Sequence, residues 1–160
     1  MSFSVNSSAD SIYFIDFAKV LNSSKPGAEA QKSIKQKLQS ENKKFANLQN
    51  NIRKEESDII SQKSTLSPEE YKKKVQALRN KVADLQKNKE TSFNNIAKTR
   101  SKAKNSLLKA LNPIIKKYME GNNIQIVLDK KAVILGDTNL EITDKIISIL
   151  NKELPSLKTN

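Results

Sequence analysis

The sequence predicts an α+β chain in which a long antiparallel helical hairpin, a coiled-coil arm, projects from a small β-sheet body. Three observations carry this. Apolar residues recur in alternating three- and four-residue steps from Ile34 to Ile114, interrupted once at a proline-marked turn. Short β-branched and aromatic runs stand near the two ends of the chain. Residues 30–120 hold 22 Lys and Arg against 9 Asp and Glu, a balance of +13, whereas the remaining ends hold 7 against 8, a balance of −1. A charged hairpin on a nearly neutral apolar base is the pattern of a binding device.

Residues 1–11 read as a polar tail. Ile12-Tyr13-Phe14-Ile15-Asp16-Phe17 reads as a strand, apolar on both faces and therefore expected to be covered on both. The break at Asn22-Ser23-Ser24-Lys25-Pro26-Gly27 delivers the chain to the first long helix. There Ile34, Leu38, Phe45, Leu48, Ile52 and Ile59 form the stripe, with Glu41 and Glu55 filling its two gaps. Ser67-Pro68-Glu69-Glu70 reads as a capping box with proline at the first helical position, so one helix stops and another starts there. The second stripe runs through Tyr71, Val75, Leu78, Val82, Leu85, Lys89, Ser92/Phe93, Ile96, Thr99, Ala103, Leu107, Ala110 and Ile114.

So short a turn makes the helices antiparallel. If it centres near Leu66, facing residues have numbers summing to about 132, which brings Glu41 near Lys89 as a polar pair in the seam. Asn112-Pro113 predicts a bend or the onset of fraying, and Gly121 suits the residue just past the helix end. Ile124–Asp129 and Ala132–Leu135 read as two strands linked by Lys130-Lys131, and Ile146, Ile149, Leu150 and Leu154 as the apolar side of a final helix from about Thr143. The division is thus a tail at 1–11, a body at 12–29 plus 121–160, and an arm at 30–120 with its tip near 64–68. A closed hairpin returns its ends to one place, so the N-terminal and C-terminal strands should share one sheet. A body of that size is marginal alone, and self-association is the economical way to cover it.

The chain has no Cys and no His, which removes thiol chemistry, disulfides, Ser-His-Asp catalysis and the commonest metal ligand. Three glycines cannot build a phosphate-binding loop. No catalytic constellation and no cofactor are expected, and the chain is read as a non-enzyme. Lys72, Lys73, Lys74, Arg79, Lys81, Lys98, Arg100, Lys102, Lys104 and Lys109 lie at many angles around the second helix. A reader of nucleic acid would concentrate them on one face and interleave aromatics, so nucleic acid is the less favoured partner. Diffuse positive charge suits many-point attraction of a large acidic partner or an anionic surface.

The order strand, long helical hairpin, strands, short helix resembles the Skp/OmpH family of periplasmic chaperones over roughly residues 11–152. The most specific match is Ile124-Gln125-Ile126-Val127-Leu128-Asp129-Lys130-Lys131-Ala132-Val133-Ile134-Leu135 followed by Leu140-Glu141-Ile142-Thr143-Asp144; Ile12-Tyr13-Phe14-Ile15-Asp16 resembles the family's first strand. Leu135 stands where many members have an aromatic, and the basic lipopolysaccharide-binding cluster proposed in the family has no residue-by-residue match here. The resemblance implies a homotrimer with three arms around a cavity. It also implies an ATP-independent holdase for unfolded outer-membrane β-barrel proteins, located in the periplasm with its signal peptide already removed. Anionic lipid or lipopolysaccharide is a further partner of that kind. On this reading Ile12, Phe14, Ile126, Leu128, Val133 and Ile134 hold the trimer, and the basic arm residues from Lys72 to Lys104 attract clients. The rival readings are a basic coiled coil that binds nucleic acid and a structural or adaptor coiled coil.

Overall fold

The structure is a computed structural model that describes residues 12–157. The tail expected at residues 1–11 lies outside the described residues. In chain order the elements are β1 (Ile12–Ile15), α1 (Phe17–Ser23), α2 (Lys25–Ser61), α3 (Pro68–Gly121), β2 (Ile126–Asp129) and α4 (Thr143–Glu153), with short 3-10 turns at Lys130–Ala132 and Thr138–Leu140. Two compact units result, one made of both chain ends (up to Lys32 and from Arg100), the other of Ser33–Thr99.

In the first unit β1 and β2 pair in parallel, Ile12 opposite Ile126 and Phe14 opposite Leu128. The two ends of the chain do share one sheet, and the helices between them supply the long crossover that parallel pairing requires. The second edge of β1 is also engaged: its Phe14 carbonyl accepts the Ile142 N–H at 3.0 Å. Period-two alternation turns Ile15 into a core with Val20, Leu107, Leu111, Ile114, Ile142, Ile146 and Leu150, against which Tyr13 and Val127 also pack.

The first strand stops at Ile15, two residues earlier than its composition suggests. The Asp16 carboxylate accepts the Lys19 N–H at 2.8 Å and so caps α1. The expected break at 22–27 contracts to Ser24, which is fully buried and accepts the Gly27 N–H on Oγ at 3.3 Å. Gly27 is required by proximity: a Cβ there would lie 2.0 Å from the Leu21 carbonyl oxygen.

The strand expected at Ala132–Leu135 does not form. Asp129 accepts the Lys131 N–H at 3.0 Å and turns the chain into a 3-10 helix over Lys130–Ala132. Ile134 and Leu135 are left fully exposed, without a strand partner among the described residues. Cover on both sheet faces is likewise not observed, since Ile12, Ile126 and Leu128 are exposed.

The helix α3 ends at Gly121, close to the end expected at Tyr118–Glu120, and it does not fray at Pro113. Pro113 lies on the exposed side, while Leu111 and Ile114 on either side of it are buried and hold the helix on the core. The left-handed residue after the helix is Asn123 (φ 53°), not Gly121, and the Ile124 N–H closes the end on the Met119 carbonyl at 3.0 Å.

The second unit is the distal part of the α2–α3 hairpin, whose buried residues include Ile34, Phe45, Ile59 and Ile96 at seam positions. Its turn carries the expected capping box: the Ser67 N–H and hydroxyl donate to Glu70 Oε2 at 3.1 and 2.7 Å, and Ser67 Oγ accepts the Glu70 N–H at 3.3 Å. At Glu41 the seam keeps the expected register of about 132 but not the expected partner: Glu41 accepts from Ser92 Oγ at 2.8 Å, and no Glu41–Lys89 pair is made among the described residues. Lys81 reaches Glu55 at 2.6 Å and Lys74 reaches Gln62 at 2.7 Å, pairs whose numbers sum to 136. Helical side chains lean toward their own N-terminus, so each covers a spot about one residue before its Cα. In an antiparallel pair both offsets raise the sum of facing numbers, which displaces contacts in the observed sense.

Candidate functional surface

The six residues expected to join subunits divide into three kinds. Ile12 and Ile126 are opposite each other in the sheet and each 47% exposed, with Leu128 exposed next to them. Phe14 is on the same sheet face but 7% exposed, because the segment after Val133 folds over it: a Cβ at Gly136 would lie 3.2 Å from Phe14 Cε1 and 3.3 Å from Val133 Cγ1. Val133 is half-buried in that contact. Ile134 and its neighbour Leu135 are 102% and 93% exposed. Large aliphatics so fully in water are unusual in a monomeric surface, and here they accompany an uncovered apolar sheet face.

A polar clasp holds the strand, the first 3-10 turn and α4 together. Thr143 Oγ1 accepts the Asp16 N–H at 2.9 Å and donates to Glu141 Oε1 at 2.8 Å, while Glu141 Oε2 receives Lys130 Nζ at 2.8 Å. The Lys130 hydrogen bond, then that of Thr143, holds the Glu141 carboxyl below the usual carboxylate range. Lys19 pairs with Asp144 at 2.7 Å at the start of α4, and this hydrogen bond raises the lysine's pKa.

The nine basic residues expected to attract partners (Lys72, Lys73, Lys74, Arg79, Lys81, Lys98, Arg100, Lys102 and Lys104) are all exposed on α3. Lys81 is tied to Glu55 and Lys74 to Gln62; the other seven have no carboxylate within 4.0 Å among the described residues. Of the 22 cations between residues 30 and 120, only Lys44, Lys81 and Lys116 form ion pairs among the described residues. Long helices usually lace their surfaces with such pairs, and this one leaves most of its charge unspent.

Some participants carry only a weak sequence signal. Leu111, fully buried, falls outside the strict heptad stripe that passes through Ala110. The drift of a 3.6-residue helix away from a 3.5-residue repeat moves the buried face at the end of so long a run. The Glu141–Thr143 clasp has the spacing of a local turn, but its partners Asp16 and Lys130 are distant in sequence or on another element.

The family model for outer membrane protein (OmpH-like) matches residues 11–150. No curated protein matches the chain. A crystal structure from Caulobacter crescentus CB15, described provisionally as an outer membrane chaperone (OmpH-like), superposes with a TM-score of 0.87 at 19% identity, covering 92% of this chain and 88% of that one. At that identity the superposition speaks for the fold. Both units, the parallel strand pair and the helical hairpin, fall inside the matched span, and the chain belongs to the OmpH-like outer membrane protein family.

Proposed function

We propose that this chain is an ATP-independent holdase chaperone that binds unfolded outer-membrane proteins in the periplasm and prevents their aggregation. It acts as a homotrimer, with the hairpins as three arms around the client. The observation that carries the reading is an OmpH-like chain whose long helical hairpin leaves nearly all its cations without an ion pair among the described residues. A holdase needs many weak contacts that tolerate any client shape, and a field of free cations supplies them. Such contacts become effective when several arms hold one client, because each rebinding event is intramolecular. The uncovered face of Ile12, Ile126 and Leu128, with Ile134 and Leu135, supports subunit association through the sheet. Anionic lipid or lipopolysaccharide would compete with clients for the same cations.

Native mass spectrometry of the protein, alone and after dilution of a urea-unfolded outer-membrane barrel protein into it without nucleotide, tests both parts. Three chains alone and three chains with one client are expected. A monomer contradicts the assembly, and a client that aggregates unbound contradicts the holdase role. Raising salt to ~1 M, where the screening length falls to about 3 Å, should weaken client binding; unchanged affinity would remove the electrostatic part of the proposal.

A further inference from the structure

Ile12 and Phe14 of β1 share one face of the sheet with Ile126 and Leu128 of β2, which lie directly opposite them. Three of the four are open to water and Phe14 alone is buried. The chain between the two 3-10 turns lies against its ring, where a Cβ on Gly136 would stand 3.2 Å from Phe14 Cε1 and 3.3 Å from Val133 Cγ1. That segment is fastened at its ends. The Asp129 carboxylate accepts the Lys131 N–H, the Asp137 carboxylate accepts the Asn139 N–H, and Lys130 Nζ donates to Glu141 Oε2 across the base of the loop at 2.8 Å. Between these fastenings the backbone of Ile134, Leu135 and Gly136 makes no backbone–backbone hydrogen bond among the described residues.

We propose that Val133–Gly136 is an autoinhibitory strap. Closed in the free chain, it masks Phe14, and it must swing off the sheet before a second copy of the chain can seat on the whole apolar face. The proposal rests on the subunit association proposed above and adds the step that regulates it. Two features make the segment a strap. Its ends are held by capped turns and an ion pair, so it stays tethered when open. Its middle is held by apolar contact, so opening breaks no backbone hydrogen bond and falls among the easy local openings of a fold. Once open, it uncovers Phe14 and joins the ring to Ile12, Ile126 and Leu128 in one continuous patch. Charge selects a second copy as the occupant. The excess of positive charge lies at residues 30–120, a balance of +13, while the chain ends that form the sheet balance at −1, so two copies that repel along their hairpins can still meet here. A closed strap leaves only a fraction of chains competent to associate, and the apparent dissociation constant is raised by the reciprocal of that fraction. Weakening the strap should therefore tighten assembly, the opposite of what losing an interface residue does.

Two variants test this from opposite sides of the same contact. Val133→Ser removes the apolar hold of the strap, and Gly136→Leu wedges it away from the ring; neither alters Ile12, Phe14, Ile126 or Leu128. In fluorescence-detected sedimentation of the full chain, from low nanomolar to micromolar, both should assemble at concentrations about tenfold or more below the parent's, with an unchanged helical circular dichroism signal. Opening is also readable without assembly. The chain has no Trp, so Phe14→Trp places a single emitter under the strap, and adding Val133→Ser should make it more accessible to acrylamide in dilute protein. Assembly that is weakened or unchanged in both variants overturns the strap, and so does quenching that Val133→Ser leaves as it was. Parent and variants that all stay monomeric while the quenching rises overturn the second copy as the strap's competitor, and the subunit reading with it, although the strap itself opens.

Discussion

At the residue scale, Thr143 is the side chain on which the most distant parts of the sequence meet. Its hydroxyl accepts the Asp16 N–H across 127 positions and donates to Glu141, while the residue itself is 1% exposed. Thr143→Val keeps the shape but leaves that N–H without its acceptor, a loss of about 1–3 kcal/mol readable by urea unfolding. The Glu141 carboxyl adds a pH dependence. Its pKa is lowered in the folded chain, by Lys130 first and Thr143 second, so the folded state binds a proton there less readily than the unfolded state. The stabilisation is complete above the ordinary carboxylate pKa and disappears as pH falls through the lowered value. Thermal midpoints of the parent and Glu141→Gln should therefore differ at neutral pH and converge in acid. Glu70 is likewise lowered, by its Ser67 hydrogen bonds, but is common to both proteins, so the comparison isolates Glu141.

At the element scale, the local rules held where one short stretch contains all the actors. Ser67 and Glu70 form the capping box their spacing announces, because both partners lie within one helical turn. Rules failed where a neighbouring element intervened. Val133-Ile134-Leu135 has strand composition yet forms no strand, since pairing requires an edge and no edge in the described chain reaches it. Of the bend or fraying that Pro113 predicts, fraying does not occur, because packing of Leu111 and Ile114 on the core offsets the missing hydrogen bond. Gly27 reads as half of a Pro-Gly turn and in fact lies inside α2, where a side chain would collide with the Leu21 carbonyl of α1. Gly27→Ala would drive a methyl into the Leu21 carbonyl, an overpacking cost of about 1–3 kcal/mol or more. The expected result is a lower urea midpoint, with loss of helicity largest around α1; an unchanged midpoint would show that the α1–α2 junction yields freely.

At the scale of the whole molecule, charge and apolar surface are kept apart by residue type and not by domain. The unpaired cations occur in both compact units, on Lys72, Lys73 and Arg79 as well as on Arg100, Lys102 and Lys104. The most exposed aliphatics, Ile134 and Leu135, belong to the first. Because those two side chains touch little in the chain itself, Ile134→Asp/Leu135→Asp should leave the helical circular dichroism signal within a few per cent of the parent while shifting the proposed trimer toward monomer in sedimentation. A sedimentation profile identical to the parent's would show that the segment is outside any subunit interface, and a lost helical signal that it supports the monomer after all.

The heptad steps, the capping box and the charge balance were legible from the sequence because each depends on residues within a few turns of one another or on composition alone. They are enough for two long antiparallel helices, a basic hairpin and one small sheet formed from both chain ends. Two things were decided by tertiary structure. Glu41 met Ser92 and not Lys89, and one face of the sheet was left uncovered. Each depends on how elements far apart in the chain pack against one another. Periodicity says which face of a helix or strand is apolar, but only packing says how much of that face another element covers.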